Sequence, residues 1–149
     1  MDLSNVEIDR VLKKHRPNLF LGTMAFDEFD PSQCPFLPIA MIVNTEPISV
    51  PSGGHWVVLY VDSNKNGIFF DSFGHQPWSK FRLFFKKNAK KTVYNKTVLQ
   101  SYDYTCGHHA VFFVMNIAKK KSLQRVLNSY KSHSNPVQMV ASYFRKISK

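Results

Sequence analysis

Four residues of this sequence have the types and the order that acyl chemistry through sulfur requires: His55, Asp71, Gln100 and Cys106. A cysteine attacks as its thiolate, which is favoured where positive potential is available. Cys106 follows Thr105, a good helix cap, and heads the apolar run Cys106 to Ala118. A helix over that run puts the sulfur at an N-terminus, where unpaired N–H groups and the macrodipole favour negative charge. Gly107 beside it admits a close approach. A lone cysteine is more often a small packed hydrophobe, so its partners decide the matter. His55 precedes the strand Trp56 to Val61, and Asp71 ends the strand through Ile68-Phe69-Phe70. A hairpin loop of Asp62-Ser63-Asn64 sets Val61 against Lys65, Leu59 against Gly67 and His55 against Asp71. Cross-strand neighbours lie within roughly 5 Å at Cβ, so the carboxylate could hold the imidazole in one tautomer. The competing register uses Asn66-Gly67 as a tight turn and separates the pair. Gln100 stands six residues before Cys106 in Gln-Ser-Tyr-Asp-Tyr-Thr-Cys. An amide there could donate to the oxyanion formed when a thiolate attacks a carbonyl; read alone, it is an ordinary polar residue at a strand end.

The elements that must carry these residues follow from periodicity and punctuation. Ser4 and Glu7 form a capping-box pattern opening a helix over roughly residues 4–15, which Pro17 ends. Residues 20–36, with Asp27, Glu28, Asp30, Pro31 and Pro35, read as loop. Leu37 to Val43 has strand length, and Thr45 to Gly54 reads as an irregular loop. The strands at 56–61 and 68–70 are apolar on nearly every residue, which predicts a sheet covered on both faces. Residues 77–89 predict a helix, Thr92 to Leu99 a strand, and Cys106 to Ala118 a buried helix. Ser122–Tyr130 and Pro136–Ile147 predict two more. Helix, strands, then helices is an α+β order, and 149 residues suit one domain over 1–149.

Charge and composition bound the function. The net charge of +10 is divided: residues 1–75 hold five Lys/Arg against nine Asp/Glu, whereas residues 76–149 hold fifteen against Asp103 alone. One strongly basic face is expected, suited to nucleic acid or another polyanion, the plain alternative being a solvated surface. Lys86, Lys87, Lys90 and Lys91, with Lys119, Lys120 and Lys121, are the candidates to track phosphates. With hydrophobic residues at 44%, a real core is expected rather than disorder. No run approaches the roughly 20 apolar residues of a membrane span, and the charged N-terminus does not read as a secretory signal. Two cysteines, Cys34 and Cys106, point to a reducing interior, and Cys34 receives no role.

The order His, Trp, Asp, Gln, Cys, Gly resembles the adenovirus protease (adenain) family and, more distantly, the SUMO-specific proteases. Phe20-Leu21-Gly22-Thr23 is similar to that family's FLGT, and Ala40-Met41-Ile42-Val43-Asn44-Thr45 to its AIVNT segment. Gly53-Gly54-His55-Trp56 matches the catalytic histidine motif, and Asp71-Ser72-Phe73-Gly74 sits where the family has an acidic residue before Pro-Phe-Gly. The resemblance implies an α+β cysteine protease in which His55 is general base and then acid, Asp71 orients it, and Cys106 attacks. Gln100 and the backbone N–H of Cys106 would form the oxyanion hole, while Gly54 and Trp56 would contact substrate in a narrow cleft that selects small residues. It implies viral precursor proteins as substrates, in host nucleus and virion, a monomer, no cofactor needed for the chemistry, and DNA as an activator. Departures are specific: Asp71 replaces the adenovirus Glu, the Gln–Cys spacing follows the SUMO proteases, and the chain is short. A reduced relative from another DNA virus or a mobile element is expected.

Three other readings stay on the table. One is an isopeptidase on ubiquitin-like conjugates, and another a non-catalytic basic DNA-binding domain. The third, a metal site of Cys106, His108, His109 and His75, is disfavoured because adjacent helical histidines point about 100° apart. His15, His75 and His133 read as surface or structural residues, and His108 and His109 as packing.

Overall fold

Ser4 and Glu7 cap each other at the N-terminus: the Ser4 hydroxyl accepts the Glu7 N–H at 3.2 Å and the Glu7 carboxylate accepts the Ser4 N–H at 3.0 Å. This reciprocal cap starts α1 (Asn5–His15) where its pattern predicts. The computed structural model describes residues 3–49, 54–100, 103–120 and 122–149. Gly53 and Lys121 lie outside the described residues.

Five strands form one mixed sheet in chain order, β1 (Phe20–Met24), β2 (Ile39–Asn44), β3 (Trp56–Val61), β4 (Asn66–Phe70) and β5 (Lys91–Tyr94). The two outer pairings are parallel and the two inner ones antiparallel. Alternate side chains divide the core. Ala40, Ile42, Val58, Tyr60, Ile68 and Phe70 meet α1, α3 (Cys106–Lys120), α4 (Leu123–Lys131) and α5 (Pro136–Ile147) on one face. Ile39, Met41, Val43, Val57, Leu59, Val61 and Phe69 meet Phe81, Phe84 and Phe85 of α2 (Ser79–Asn88) on the other. Both faces are covered, which is why these strands are continuously apolar. Phe70 stacks on Phe113 at 4.5 Å between ring centroids, fixing the helix that carries Cys106 to the strand that leads into Asp71.

Three expectations need correction. Residues 20–24 form a strand rather than loop, because β1 pairs in parallel along β2; tertiary pairing outweighs weak local preference. The strand expected over Thr92–Leu99 stops at Tyr94, where the chain turns inward so that Asn95 can bury its side chain. The β3–β4 hairpin adopts neither proposed register. Val61 pairs with Gly67, and Val58 with Phe70. The loop is Ser63-Asn64-Lys65, with Lys65 at φ +65° and the Asp62 carboxylate accepting the N–H groups of Asn64 and Asn66. This pairing is offset by two residues from the first proposal, so every side chain keeps its face.

α3 is held to α4 by His109, whose Nδ1 meets the Tyr130 hydroxyl at 2.9 Å with the rings stacked. Burial, with smaller opposition from His108 and His55, outweighs the pull of Asp103 and lowers His109 to about 4. The folded chain therefore resists a proton that the unfolded chain accepts between its ordinary value of 6.5 and about 4. Stability is expected to fall by on the order of 3 kcal/mol more across this acid window in the native chain than in His109→Gln. Urea unfolding at stepped pH measures the difference.

Candidate active site

Asp71 is fully buried at the end of β4, and three donors converge on its carboxylate. His55 Nε2 donates to Oδ1 at 2.5 Å, and the Phe73 N–H donates to the same oxygen at 2.8 Å. His75 Nδ1 donates to Oδ2 at 3.0 Å. Burial alone would raise the Asp71 carboxyl; hydrogen bonds and charge from His55, with Phe73 and His75, hold it below its ordinary value instead. The backbone is fixed as firmly. Asn95, itself fully buried, accepts the Asp71 N–H at 3.0 Å and donates to the Asp71 carbonyl at 2.6 Å.

His55 extends β3 by one residue, exchanging bonds with Thr45: its carbonyl accepts the Thr45 N–H and its N–H donates to the Thr45 hydroxyl. In the observed register Asp71 lies diagonally across from it, not directly opposite, and the Phe73 ring rests 4.6 Å from the imidazole. Burial would lower His55, but the Asp71 carboxylate and a hydrogen bond with Cys106 more than offset it and push the imidazole up to about 9. Nε2 is committed to Asp71, which leaves Nδ1 for the thiol. At neutral pH the ring is a cation beside Cys106, the half-buried first residue of α3.

The turn after Asp71 also sets Gln100. Ser72 accepts the backbone N–H groups of Leu99 and Gln100 through its carbonyl, and its hydroxyl donates to Gln100 Oε1 at 2.5 Å. The amide orientation is thereby fixed, with Nε2 donating to the Asp103 carbonyl at 2.9 Å and carboxylate at 3.0 Å. Asp103 also accepts the Thr105 N–H and hydroxyl, so Thr105 does not cap α3 with its own side chain as expected. Gly107 is approached by side chains rather than by another backbone or a substrate: a Cβ there would lie 3.1 Å from Leu3 and 3.3 Å from Trp56.

His55, Gln100 and Cys106 open onto a cleft of about 500 Å³. Gly54 and Trp56 line it, as does the start of α1 through Leu3, Ser4, Asn5 and Glu7. Gly54 has φ +93°, and a Cβ on it would strike Asn44 and Glu46, so backbone geometry accounts for this glycine before any substrate does. Sequence reasoning missed Ser72, Phe73, His75, Asn95, Asp103 and the α1 lining. Only the Asp71-Ser72-Phe73 turn carried a local signal.

The lysines stand elsewhere. α2 ends beside the β3–β4 turn, where the Lys90 N–H donates to the Lys65 carbonyl. The end of α3 and the end of α1 meet at the same turn, around a groove lined by His15, Arg16, Ile117, Ala118, Ser63 and Asn64. His15 in turn holds the Ile147 carbonyl at the end of α5. Lys86, Lys87, Lys90, Lys91 and Lys119 are exposed and Lys120 half-buried. The expectation of one basic face is corrected: α2 and α3 lie on opposite faces of the sheet, and Lys86 and Lys87, like Lys119 and Lys120, sit in the last turns of those helices, at the end away from Cys106. Cations there complement the C-termini of several helices. Among the described residues, no group of three or more His, Cys, Asp or Glu is arranged to hold a metal ion, and no helix is long and apolar enough to cross a membrane. His108 packs against Phe144, and His133 is exposed.

No protein-family model and no curated protein matches the sequence. Solved structures do match the fold. The ASFV pS273R protease is similar with a TM-score of 0.68 at 17% identity, covering 84% of this chain and 60% of its own. The SUMO protease Ulp1, solved with its catalytic cysteine oxidized to a sulfinic acid, is similar with a TM-score of 0.51 at 13% identity, covering 99% of this chain and 80% of its own. The chain therefore has the α+β fold of the SUMO-protease type of cysteine protease, and it spans about 60% of the length of the ASFV enzyme.

Asn95→Ala strips both partners from the Asp71 backbone inside the core. It is expected to cost about 3 kcal/mol in urea unfolding. It also loosens the carboxylate from His55, so the imidazole titration followed by proton NMR should fall from about 9 toward 6.5.

Proposed function

We propose that this chain is a cysteine endopeptidase that cleaves protein precursors after small, glycine-rich segments. The observation that carries the reading is the chain of contacts from buried Asp71 through His55 to Cys106, at the edge of a cleft that Gln100 also lines. Cys106 attacks the scissile carbonyl as the thiolate of an ion pair whose proton His55 already carries. The developing oxyanion takes hydrogen bonds from Gln100 Nε2 and the Cys106 N–H, while protonated His55 delivers its proton to the leaving amine. Water, deprotonated by His55, then hydrolyses the thioester and releases the thiol. Asp71 keeps the imidazole oriented throughout. In the free structure Gln100 Nε2 is engaged by Asp103, so substrate must draw the amide away from that partner.

Likeness to an ASFV protease and a SUMO protease supports proteolysis as the reaction class. The preference for small residues before the cut follows the family resemblance, and Gly54, Asn44 and Trp56 are the cleft residues that would enforce it. DNA as activator is supported by charge alone. It would bind the pole of Lys86, Lys87, Lys90, Lys91, Lys119 and Lys120, and its effect would have to cross the molecule to the cleft.

The test is cleavage of fluorogenic peptides varied at the two positions before the cut, alongside a ubiquitin-like fusion, with and without duplex DNA. Gly-containing peptides are expected to be cut and bulky ones spared. Cys106→Ala should abolish turnover, and Gln100→Ala should lower kcat by roughly 10²–10³ with KM little changed. Stimulation by DNA should fade as salt rises and weaken in Lys90→Glu/Lys91→Glu. Cleavage of the fusion alone would assign deconjugation instead. DNA binding without turnover or Cys106 reactivity would leave a binding module.

A further inference from the structure

The two oxygens of Asp71 serve different imidazoles. Oδ1 is taken by His55 and the Phe73 N–H, while Oδ2 accepts, among the described residues, the His75 Nδ1–H alone, at 3.0 Å. His75 sits four residues on, past the tight turn at Gly74, with its side chain 67% exposed, whereas the Asp71 side chain is 0% exposed. A buried carboxylate is thus joined to solvent through one ring. That ring lines a second groove, on the side of His55 away from Cys106, together with Glu46, Gln76 and Trp78. Among the described residues, the titratable and charged groups facing it there are Asp71 from its own turn, His55 from the start of β3, and Glu46 from the segment after β2, with no lysine or arginine in the lining.

We propose that His75 is a positioning residue for His55, acting through Asp71: its protonation state sets how strongly the carboxylate holds the imidazolium beside Cys106. The proposal rests on Cys106 being the nucleophile of the reaction described above. Neutral His75 donates one hydrogen bond that pins Oδ2 and keeps Oδ1 aimed at His55. Protonated His75 places a cation on the same carboxylate and cancels part of its field at His55. The imidazolium, and the thiolate it supports, are then less favoured. As pH rises and His75 gives up its proton, the ion pair gains and Cys106 becomes more reactive.

The experiment is alkylation by iodoacetamide, an uncharged probe, from about pH 5 to about pH 10. Rates at each cysteine are read by mass spectrometry in the wild-type chain, His75→Gln and His75→Ala. Cys34, whose thiol burial pushes up, is the internal reference. The wild-type profile at Cys106 is expected to carry a step of about threefold, the size of half a pKa unit, that both variants lack. His75→Gln keeps a side-chain N–H, so its alkaline plateau should stay within about twofold of wild type. The same step in His75→Gln, or a rate lowered equally at every pH, overturns the assignment and leaves Cys106 as nucleophile. Alkylation of Cys106 no faster than Cys34 in the wild-type chain overturns the protease reading itself, and this proposal with it.

Discussion

A carboxylate placed with no exposure at the end of a β-strand is the constraint around which this molecule is arranged. Removing Asp71 from water costs several kcal/mol unless the charge is paired and hydrogen-bonded. His55, Phe73 and His75 meet that demand at the carboxylate, and Asn95 meets it at the backbone. The same contacts have a chemical consequence. His55 is kept cationic against its own burial, and a cationic imidazole is the group a cysteine at a helix N-terminus needs in order to give up its proton. Ser72, next in sequence, carries the order onward to Gln100. One turn thereby coordinates the positions of His55 and Gln100.

The charge distribution follows the direction of the elements. α1 begins at the cleft and ends at the far pole, and α3 does the same, so their N-termini face the site and their C-termini face the lysines. Glu7 and Asp103 line the cleft, where, among the described residues, no lysine or arginine does. The acidic and basic halves of the sequence are not the two ends of the molecule, since Arg16 of the first half stands with Lys119 of the second around the end of α3.

Legibility in the sequence tracked how local each cause was. α1 and α5 were readable because their caps, Ser4 with Glu7 and Asn135 with Pro136, are written within a few residues. α3 was readable as an unbroken apolar run. β1 was not, since Phe20–Met24 is a strand only by virtue of pairing with β2. The hairpin was half legible: parity put His55 and Asp71 on one face, but the Asp62 side chain closes a loop one position later than spacing suggested. Asn95 and His75 looked ordinary because their roles arise from approach in space to Asp71. Gly54 looked like a substrate wall, whereas its backbone conformation already requires a glycine.

The central claim is that Asp71 and His55 make Cys106 an acyl-accepting thiolate, and it is tested most directly by trapping. A peptide vinyl sulfone ending in Gly-Gly is incubated with the chain, and the adduct is mapped by mass spectrometry. The account expects one adduct, on Cys106, absent from His55→Ala and strongly slowed in Asp71→Asn. Labelling of Cys34 in place of Cys106, or labelling of Cys106 that is indifferent to His55, would contradict it.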